Sequence, residues 1–270
     1  MDAPATDLRA WRPPIAGVRE VLHARYIGHA FPRHAHDTWT LFVVDEGGVR
    51  YDLGRHERVA AQTMVSVLPP HVAHDGRPAV PDGYRMRVLY VETSVLPASL
   101  IGPAVDRPFV EDALLRRRVA AVHDALDSPD GPLEAETRLA FVTERLTELL
   151  RASPEPARRA PSPPTLAEAV RAHLDASLFE RPSLAEIAAA EGFAASTSAR
   201  AFTRAFGLPP HQYVLSRRLE AARSRILDGQ PLATVAVDLG FVDQAHMTRR
   251  FTRLFGTSPS YLRRDRRDGR

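Results

Sequence analysis

The sequence predicts an α+β fold of several domains, in which an antiparallel β-barrel is followed by a helical segment and then by an all-helical region. Three observations support this fold class. Short runs of β-branched and aromatic residues occupy the N-terminal part of the 270-residue chain, and a helical pattern of apolar residues replaces them further on. A proline-rich stretch precedes the C-terminal helical region. A chain of this length can form about two domains of ordinary size, each with its own core.

The composition excludes several kinds of site and structure. The chain contains no cysteine, which excludes disulfides, thiolate zinc sites, iron–sulfur clusters and cysteine nucleophiles. Charges are spread through the first twenty residues, and no later run reaches the roughly 20 apolar residues of a membrane-spanning helix. We therefore expect a cytoplasmic protein with neither a signal peptide nor a membrane partner.

Charge and histidine are divided unevenly along the chain. Residues 1–150 contain 17 arginines and 21 acidic residues, a net charge of −4, whereas residues 165–270 contain 16 arginines and 11 acidic residues, a net charge of +5. Eight of the eleven histidines lie in the acidic part. This division predicts two domains that bind different partners.

The N-terminal domain, at 15–110, is predicted to be a small barrel or sandwich. Four short runs, 38–44, 49–53, 63–68 and 85–91, are rich in β-branched and aromatic residues and are bounded by glycine, proline or aspartate. No helical pattern lies between them. Several short strands at such spacing are typical of an antiparallel all-β domain.

Two amphipathic helices are predicted at 114–126 and 133–150, within a segment that spans 111–151. Apolar residues recur there at spacings of three and four, and the breaker DSPDGP separates the two runs. Such apolar faces pack either on the barrel or against a second subunit, and the sequence leaves both open. The prolines that follow predict an extended linker at 152–164.

The C-terminal region, at 165–268, contains an internal repeat. LAEIAAAEGF aligns with LATVAVDLGF, and FTRAFG aligns with FTRLFG, at offsets of 48 and 49 residues. Each copy reads as a helix, a glycine-containing turn and a second helix. The repeat therefore predicts two helix–turn–helix units, at about 184–206 and 232–255.

Each unit is predicted to present the start of its second helix to the major groove of DNA. In the second unit Asp243 is the expected N-cap, and the helical spacing buries Met247, Phe251, Leu254 and Phe255. Glutamine and arginine at outward positions suit paired hydrogen bonds to base edges. The predicted DNA contacts are Gln244, Ala245, His246, Thr248, Arg249 and Arg250 in the second unit and Ser196, Thr197, Ala199 and Arg200 in the first.

These motifs resemble the DNA-binding domain of the AraC/XylS family of bacterial transcription regulators. The resemblance is strongest in the segment GFVDQAHMTRRFTRLFGTSPSYLRR at 240–264. A weaker copy begins with GFAASTSARAFTRAFG at 192–207. The resemblance implies that a long helix, about 212–228, joins the two units and places both recognition helices on one face of double-stranded DNA. It also implies a homodimer and makes RNA polymerase a candidate partner. Ser198 departs from the family, which usually has an apolar residue there.

The N-terminal part resembles the cupin-like ligand-binding domain that precedes the DNA-binding domain in many members of this family. The resemblance rests on FPRHAHDTWTLFVVDEGGVRYDL at 31–53 and VLPPHVAH at 67–74. It implies a barrel that holds a small-molecule effector between its sheets. The predicted effector contacts are His34, His36, Trp39, Tyr51, His74 and Tyr90.

The same strings argue against a metal cofactor. Enzymatic cupins use an HxH pair, a glutamate and a later histidine, and here Thr40 and Leu41 stand where the glutamate is expected. Asp37 would point to the opposite side of a strand from its neighbour His36. We therefore predict no metal site, no cofactor and no catalytic residues.

Together these features predict a nucleoid-associated transcription regulator whose activity depends on a small effector. Two alternatives from other classes remain. One is a metal-dependent cupin enzyme with a DNA-binding tail, which stoichiometric bound metal would support. The other is a constitutive DNA-binding protein whose barrel only dimerises, which normal DNA binding without any effector would support.

Overall fold

The computed structural model describes residues 6–53, 56–128, 131–152, 165–180 and 182–262. The predicted linker at 152–164, apart from its first residue, lies outside the described residues, and so does the end of the C-terminal region after 262. None of the helices in the described ranges is long and apolar enough to cross a membrane.

The described residues of the N-terminal part form ten strands in two antiparallel sheets. The six-stranded sheet has the order β1-β2-β9-β4-β7-β10, and the four-stranded sheet has the order β3-β8-β5-β6. The described strands thus form two separate sheets, so the predicted barrel is open. The strands are β1 (Thr6–Trp11), β2 (Val18–Tyr26), β3 (Phe31–His34), β4 (Trp39–Gly47), β5 (Val49–Leu53), β6 (His56–Ala60), β7 (Val65–Leu68), β8 (His74–Pro78), β9 (Tyr84–Val91) and β10 (Phe109–Val110).

Strand β4 is buried on both of its faces, which explains its unbroken apolar run. Successive side chains of a strand point to opposite faces, so Trp39 and Leu41 point one way while Thr40 and Phe42 point the other. The face that carries Phe42 contributes to the core between the two sheets. The face that carries Trp39 contributes to a second core, beneath the helices that follow the strands.

Among the described residues, helix α1 (Ile101–Asp106) lies between β9 and β10, and helices α2 (Ala113–Leu126) and α3 (Pro132–Arg151) come after β10. Asp112 caps α2 by accepting a hydrogen bond from the backbone N–H of Leu115, at 2.6 Å. The apolar faces of α2 and α3 pack on the six-stranded sheet, where Val119 and Val142 are fully buried. The sequence left open whether these faces pack on the barrel or against a second subunit. In the structure they pack on the barrel of the same chain.

The C-terminal part is all helical and contains the two predicted helix–turn–helix units. The unit formed by α5 and α6 and the unit formed by α8 and α9 are joined by the long helix α7. Each second helix ends at a glycine in the left-handed conformation, Gly207 at φ 73° and Gly256 at φ 68°. The helices are α4 (Leu166–Ala176), α5 (Leu184–Ala190), α6 (Ala195–Phe206), α7 (Pro210–Leu227), α8 (Leu232–Asp238) and α9 (Gln244–Phe255).

The helical region packs directly on the barrel. One continuous apolar core contains Leu22 and Val88 from the six-stranded sheet together with Leu219, Ile226 and Phe255 from the helices. Burial of apolar surface is the main favourable contribution to such an association. The position of the recognition helices relative to the barrel is therefore fixed by packing in this structure.

Candidate DNA interface and effector cavity

Helix α9 has the two faces that its sequence pattern predicts. Its N-cap is Asp243, whose carboxylate accepts a hydrogen bond from the backbone N–H of His246. The expected apolar stripe is buried, and Met247 and Phe251 have no exposed surface. Of the predicted DNA contacts, Gln244, Ala245, Arg249 and Arg250 are exposed, and His246 and Thr248 are half-buried.

Helix α6 presents a smaller polar surface. Ser196 and Arg200 are exposed, while Thr197 and Ala199 are half-buried. Ser198, the departure from the family pattern, is fully buried, and its Oγ has no hydrogen-bond partner among the described residues. A buried hydroxyl without a partner is destabilising, so this serine lowers the stability of the first unit.

A cavity of about 60 Å³ lies between the two sheets of the barrel. Five of the six predicted effector contacts line it, namely His34, His36, Tyr51, His74 and Tyr90. Trp39 does not, and this part of the prediction is wrong for this cavity. The side chain of Trp39 lies on the opposite face of β4, in the core beneath α2 and α3, and its indole N–H points to the carbonyl oxygen of Leu96 at 3.3 Å.

Three histidines converge in the wall of this cavity. One ring nitrogen of each of His34, His36 and His74 lies within 4.8 Å of a ring nitrogen of the other two. All three side chains are buried. Burial lowers the pKa of His34 to about 3 and that of His74 well below its usual value, and the neighbouring imidazoles add to both shifts. These two rings are therefore neutral at physiological pH.

Two hydroxyl groups that the sequence analysis did not select also line the cavity. The Thr40 hydroxyl and the Tyr84 hydroxyl are buried and have no hydrogen-bond partner among the described residues. Buried polar groups in folded proteins nearly always have a partner, either in the protein or in bound water or ligand. A polar group in the cavity would therefore find two hydroxyls able to hydrogen-bond to it. Side chains alternate between the two faces of β4, so Thr40 lies on the same face as Phe42. The sequence would have identified Thr40 if it had shown which face of β4 lines the cavity.

A cleft of about 320 Å³ separates the mouth of the barrel from helix α7. His36 and Tyr90 line both the cleft and the cavity, so the two spaces adjoin. On the helical side, the carboxylate of Glu220 accepts a hydrogen bond from Nδ1 of His36, and Arg223 forms an ion pair with Glu20 of strand β2. Sequence reasoning missed these acidic and basic residues because the members of each pair lie far apart in the sequence, 184 residues for His36 and Glu220.

Further polar contacts join the barrel to the helical region. Arg217 of α7 forms an ion pair with Asp37 at 2.7 Å, and the two charges of this pair are largely buried. The Arg217 guanidinium, with that of Arg19, holds the pKa of Asp37 below its usual value in spite of burial. The Tyr213 hydroxyl lies 3.2 Å from Nδ1 of His71. Helix α7 is therefore one of the surfaces through which the barrel contacts the helical region, beside the contacts that α9 makes in the shared apolar core.

Comparison with known proteins finds matches in both parts of the chain. Residues 17–142 match the family of the AraC-like ligand binding domain, and residues 187–265 match a helix-turn-helix domain family. The chain is also similar to a probable transcriptional regulator, LumQ of Photobacterium leiognathi, with 36% identity over 89 residues. That alignment covers 33% of this chain and 36% of LumQ, so the match spans about a third of the relative's length.

Solved structures share the fold along nearly the whole chain. ToxT from Vibrio cholerae O395 has a TM-score of 0.63 at 10% identity, with 96% of this chain and 97% of that chain covered. ToxT from V. cholerae strain SCE256 with a bound unsaturated fatty acid has a TM-score of 0.57 at 11% identity, with coverage of 97% and 96%. At this identity the likeness concerns the fold alone. With its sheets in the region of the first match and its two helix–turn–helix units in the region of the second, the chain belongs to the AraC family of transcriptional regulators.

Proposed function

We propose that this chain is a sequence-specific regulator of transcription whose affinity for DNA responds to a small molecule in the barrel. The observation that carries the proposal is the position of α7. This helix joins the two helix–turn–helix units. Its Arg223 lines the barrel cavity, and its Glu220 lines the adjoining cleft and contacts His36 of the cavity wall. The family matches and the curated relative's name favour a regulator over an enzyme.

Recognition of DNA rests on the exposed starts of α6 and α9. In α9 the exposed side chains include Gln244 and Arg249, which can make paired hydrogen bonds to adenine and guanine respectively. In α6 the exposed Ser196 and Arg200 suit contacts to phosphates, which fix the register of a protein on DNA without reading sequence. We infer that α9 supplies most of the base readout.

Coupling between the two functions follows from the shared lining of cavity and cleft. A ligand that contacts His36 changes the surroundings of Glu220, which belongs to the helix that carries both recognition units. An effector shifts DNA affinity only by its differential affinity for two arrangements of barrel and helices. The effector would favour one of these arrangements by changing the contacts between α7 and the barrel.

The cavity favours an effector that combines an apolar body with at least one hydrogen-bonding group. Its walls include Leu22, Phe42 and Val88, while the hydroxyls of Thr40 and Tyr84 supply unpartnered polar atoms. The cavity is smaller than the roughly 300–1,000 Å³ of ordinary ligand pockets. A larger effector would therefore extend into the adjoining cleft, where it would contact α7 directly. The fatty acid in the ToxT structure is an effector-like molecule of this amphiphilic class.

The remaining assignments are parts of the same proposal. We assign 15–110 to the effector domain, 111–151 to a packing and dimerisation segment, and 165–268 to the DNA-binding domain. Exposed apolar side chains on α2 and α3, among them Leu133 and Phe141, support a homodimer. Regulation of transcription would bring the protein to the nucleoid in the cytoplasm and into reach of RNA polymerase.

The test is DNA binding by the full-length protein. Fluorescence anisotropy on tiled fragments of the region upstream of its own gene, against shuffled controls at two salt concentrations, separates specific from electrostatic binding. We expect one fragment to be preferred at both salt concentrations. Binding that is equal on all fragments and collapses with salt would contradict a sequence-specific role. Identical DNA affinity with and without a bound small molecule would instead contradict the effector response.

A further inference from the structure

We propose that His34, His36 and His74 form a binding site for a divalent transition metal ion of the Zn²⁺ type. This inference goes beyond the proposed regulation and does not depend on it, because metal binding can be measured without DNA. The sequence argument against a metal rested on the missing strand glutamate. In the structure three imidazoles converge without that glutamate, which is the protein donor set of a three-histidine zinc site. Glu220 of α7 does not replace the missing ligand, but it accepts a hydrogen bond from Nδ1 of His36.

The spacing of the three rings fits a shared ion. For a metal bound about 2.1 Å from each ligating nitrogen, the ring centres lie about 3.2 Å from the metal, so rings at angles of about 90–110° stand about 4.5–5.2 Å apart. The centres are 4.8 Å apart for His34 and His36, 4.4 Å for His34 and His74, and 4.9 Å for His36 and His74. A small movement of the side chains would bring three nitrogens onto one ion.

The hydrogen bonds of the rings leave the same nitrogen available on each. Nδ1 of His34 donates to the carbonyl oxygen of Pro32 at 2.7 Å, and Nδ1 of His74 donates to that of Val72 at 3.1 Å. Nδ1 of His36 donates to the Glu220 carboxylate. A neutral imidazole whose Nδ1 carries the proton has a bare lone pair on Nε2. Metal-ligating histidines typically show this pattern, in which the other ring N–H is fixed by a carbonyl or carboxylate oxygen.

The donor set and the surroundings define the class of ion. Three imidazoles with no thiolate suit Zn²⁺ and the neighbouring divalent transition metals rather than Mg²⁺ or Ca²⁺, which prefer oxygen ligands. His36 also lines the cleft beside α7, which gives an ion a route from solvent. The unpartnered hydroxyl of Thr40 faces the same cavity, so a water molecule on the ion would find an acceptor there.

The carboxylate of Glu220 has a positioning role in this site. It belongs to the helix that joins the two helix–turn–helix units, whereas the three histidines belong to the barrel and its loops. A metal on His36 would strengthen the hydrogen bond from its Nδ1 to this carboxylate, because coordination increases the acidity of the ring N–H. The ion would thereby tighten the contact between α7 and the barrel.

The experiment is a metal titration of the full-length, untagged protein after treatment with EDTA and removal of the chelator. Zn²⁺ binding is followed by isothermal titration calorimetry, and Co²⁺ binding by visible absorption, since the d–d bands of Co²⁺ report the geometry of a nitrogen and oxygen site. We expect one ion per chain. The variant carrying His34→Gln and His74→Gln should lose it, and Glu220→Gln should bind it about 10–100-fold more weakly.

His173→Gln is the matched control. His173 is an exposed histidine on α4 whose Nε2 lies 2.9 Å from the Glu191 carboxylate, a histidine–carboxylate pair outside the cluster. Its replacement should leave the stoichiometry and the affinity unchanged. Circular dichroism shows whether each variant is folded. If the double variant does not fold, the titration of the unsubstituted protein decides whether the chain binds one metal ion. Failure of the unsubstituted protein to bind one ion, or equal binding by the folded double variant, would overturn the proposal.

Discussion

Arg33, in strand β3 of the barrel, donates a hydrogen bond from Nε to the carbonyl oxygen of Gly207, the residue that ends recognition helix α6. The distance is 3.0 Å. A few residues earlier, Nε2 of His29 lies 3.3 Å from the carbonyl oxygen of Leu254, in the last turn of recognition helix α9. One short stretch of the barrel thus contacts the C-terminal ends of both recognition helices. The relative position of the two helices is tied to the barrel as well as to α7.

Gly256→Ala is expected to destabilise the protein more than Gly192→Ala. Both glycines have a positive φ, which costs a residue with a Cβ about 1–2 kcal/mol. A Cβ on Gly256 would lie 2.7 Å from Cγ of the His29 ring, whereas nothing lies within 4 Å of a Cβ on Gly192. The overpacking should add about 1–3 kcal/mol to the loss at Gly256, measured by urea unfolding.

The clash at Gly256 is relieved if the barrel side chain is shortened. In the double variant that carries Gly256→Ala and His29→Ala, the loss of unfolding free energy should be smaller than the sum of the two single losses. Additive losses would contradict the close approach of His29 to α9.

Glu20→Gln should destabilise the fold strongly. Only 9% of the Glu20 side chain and 7% of the Arg223 side chain are exposed, so the substitution leaves a buried guanidinium without its counter-charge. Breaking one side of a buried ion pair costs about 3–5 kcal/mol. Glu57→Gln is the control, because Glu57 pairs with Arg50 and Arg77 at an exposed position, where each such pair is expected to contribute about 0–1 kcal/mol. Equal urea midpoints for the two variants would contradict the burial of the pair.

Ser198→Ala is expected to stabilise the protein by about 1 kcal/mol. The substitution removes a buried hydroxyl that has no partner among the described residues, and it puts a good helix former at the end of the first turn of α6. Ser196→Ala, at an exposed position of the same helix, should change stability by less than about 0.5 kcal/mol. Thermal unfolding of both variants distinguishes them, and a lower melting temperature for Ser198→Ala would show that the hydroxyl has a partner.

Arg249→Ala should weaken binding to the preferred DNA fragment more than binding to shuffled DNA. Arg249 is exposed in the second turn of α9, and a contact from its side chain to a base edge is worth about 1–3 kcal/mol of discrimination. Arg253→Ala, one turn further along the helix, removes an exposed charge that suits a phosphate and should weaken both kinds of DNA alike. Anisotropy titrations at two salt concentrations measure both effects. An equal loss on both DNAs for Arg249→Ala would reduce it to a phosphate contact.

The stability of the protein should fall as the pH decreases from about 7 to 5, in part because of His123. Burial, with smaller contributions from His23 and Arg87, lowers the pKa of His123 well below its usual 6.5 in the folded state. Below about pH 6.5 the unfolded chain therefore binds a proton that the folded chain does not. The free energy of unfolding decreases by up to about 1.4 kcal/mol per pH unit for such a group.

His123→Gln removes this contribution and leaves the other buried histidines in place. The glutamine variant should therefore lose less stability than the unsubstituted protein between pH 7 and 5, in urea unfolding at several pH values. Parallel pH profiles for the two proteins would contradict a neutral, buried His123.

The helical half of the fold could be read from the sequence because its signals are local. The period of three and four, the cap at Asp243 and the glycines at the helix ends lie within a few residues of the structure they specify. The strands were harder to recognise. Strand β2 was not predicted, because its register shifts between Val18 and Glu20 and a buried glutamate interrupts the alternation. Its pairing with β9, far along the chain, is what makes it a strand.

The candidate site divides in the same way. The sequence by itself determined which residues are chemically able to act, the barrel histidines and the polar face of α9, because side-chain type and spacing are properties of the chain. Only the tertiary structure decided that Trp39 belongs to the core under α2 and α3, since β4 is buried on both faces and its pattern cannot distinguish them. It also decided that Glu220 meets His36, because a contact across 184 residues of sequence is set by packing rather than by local preference.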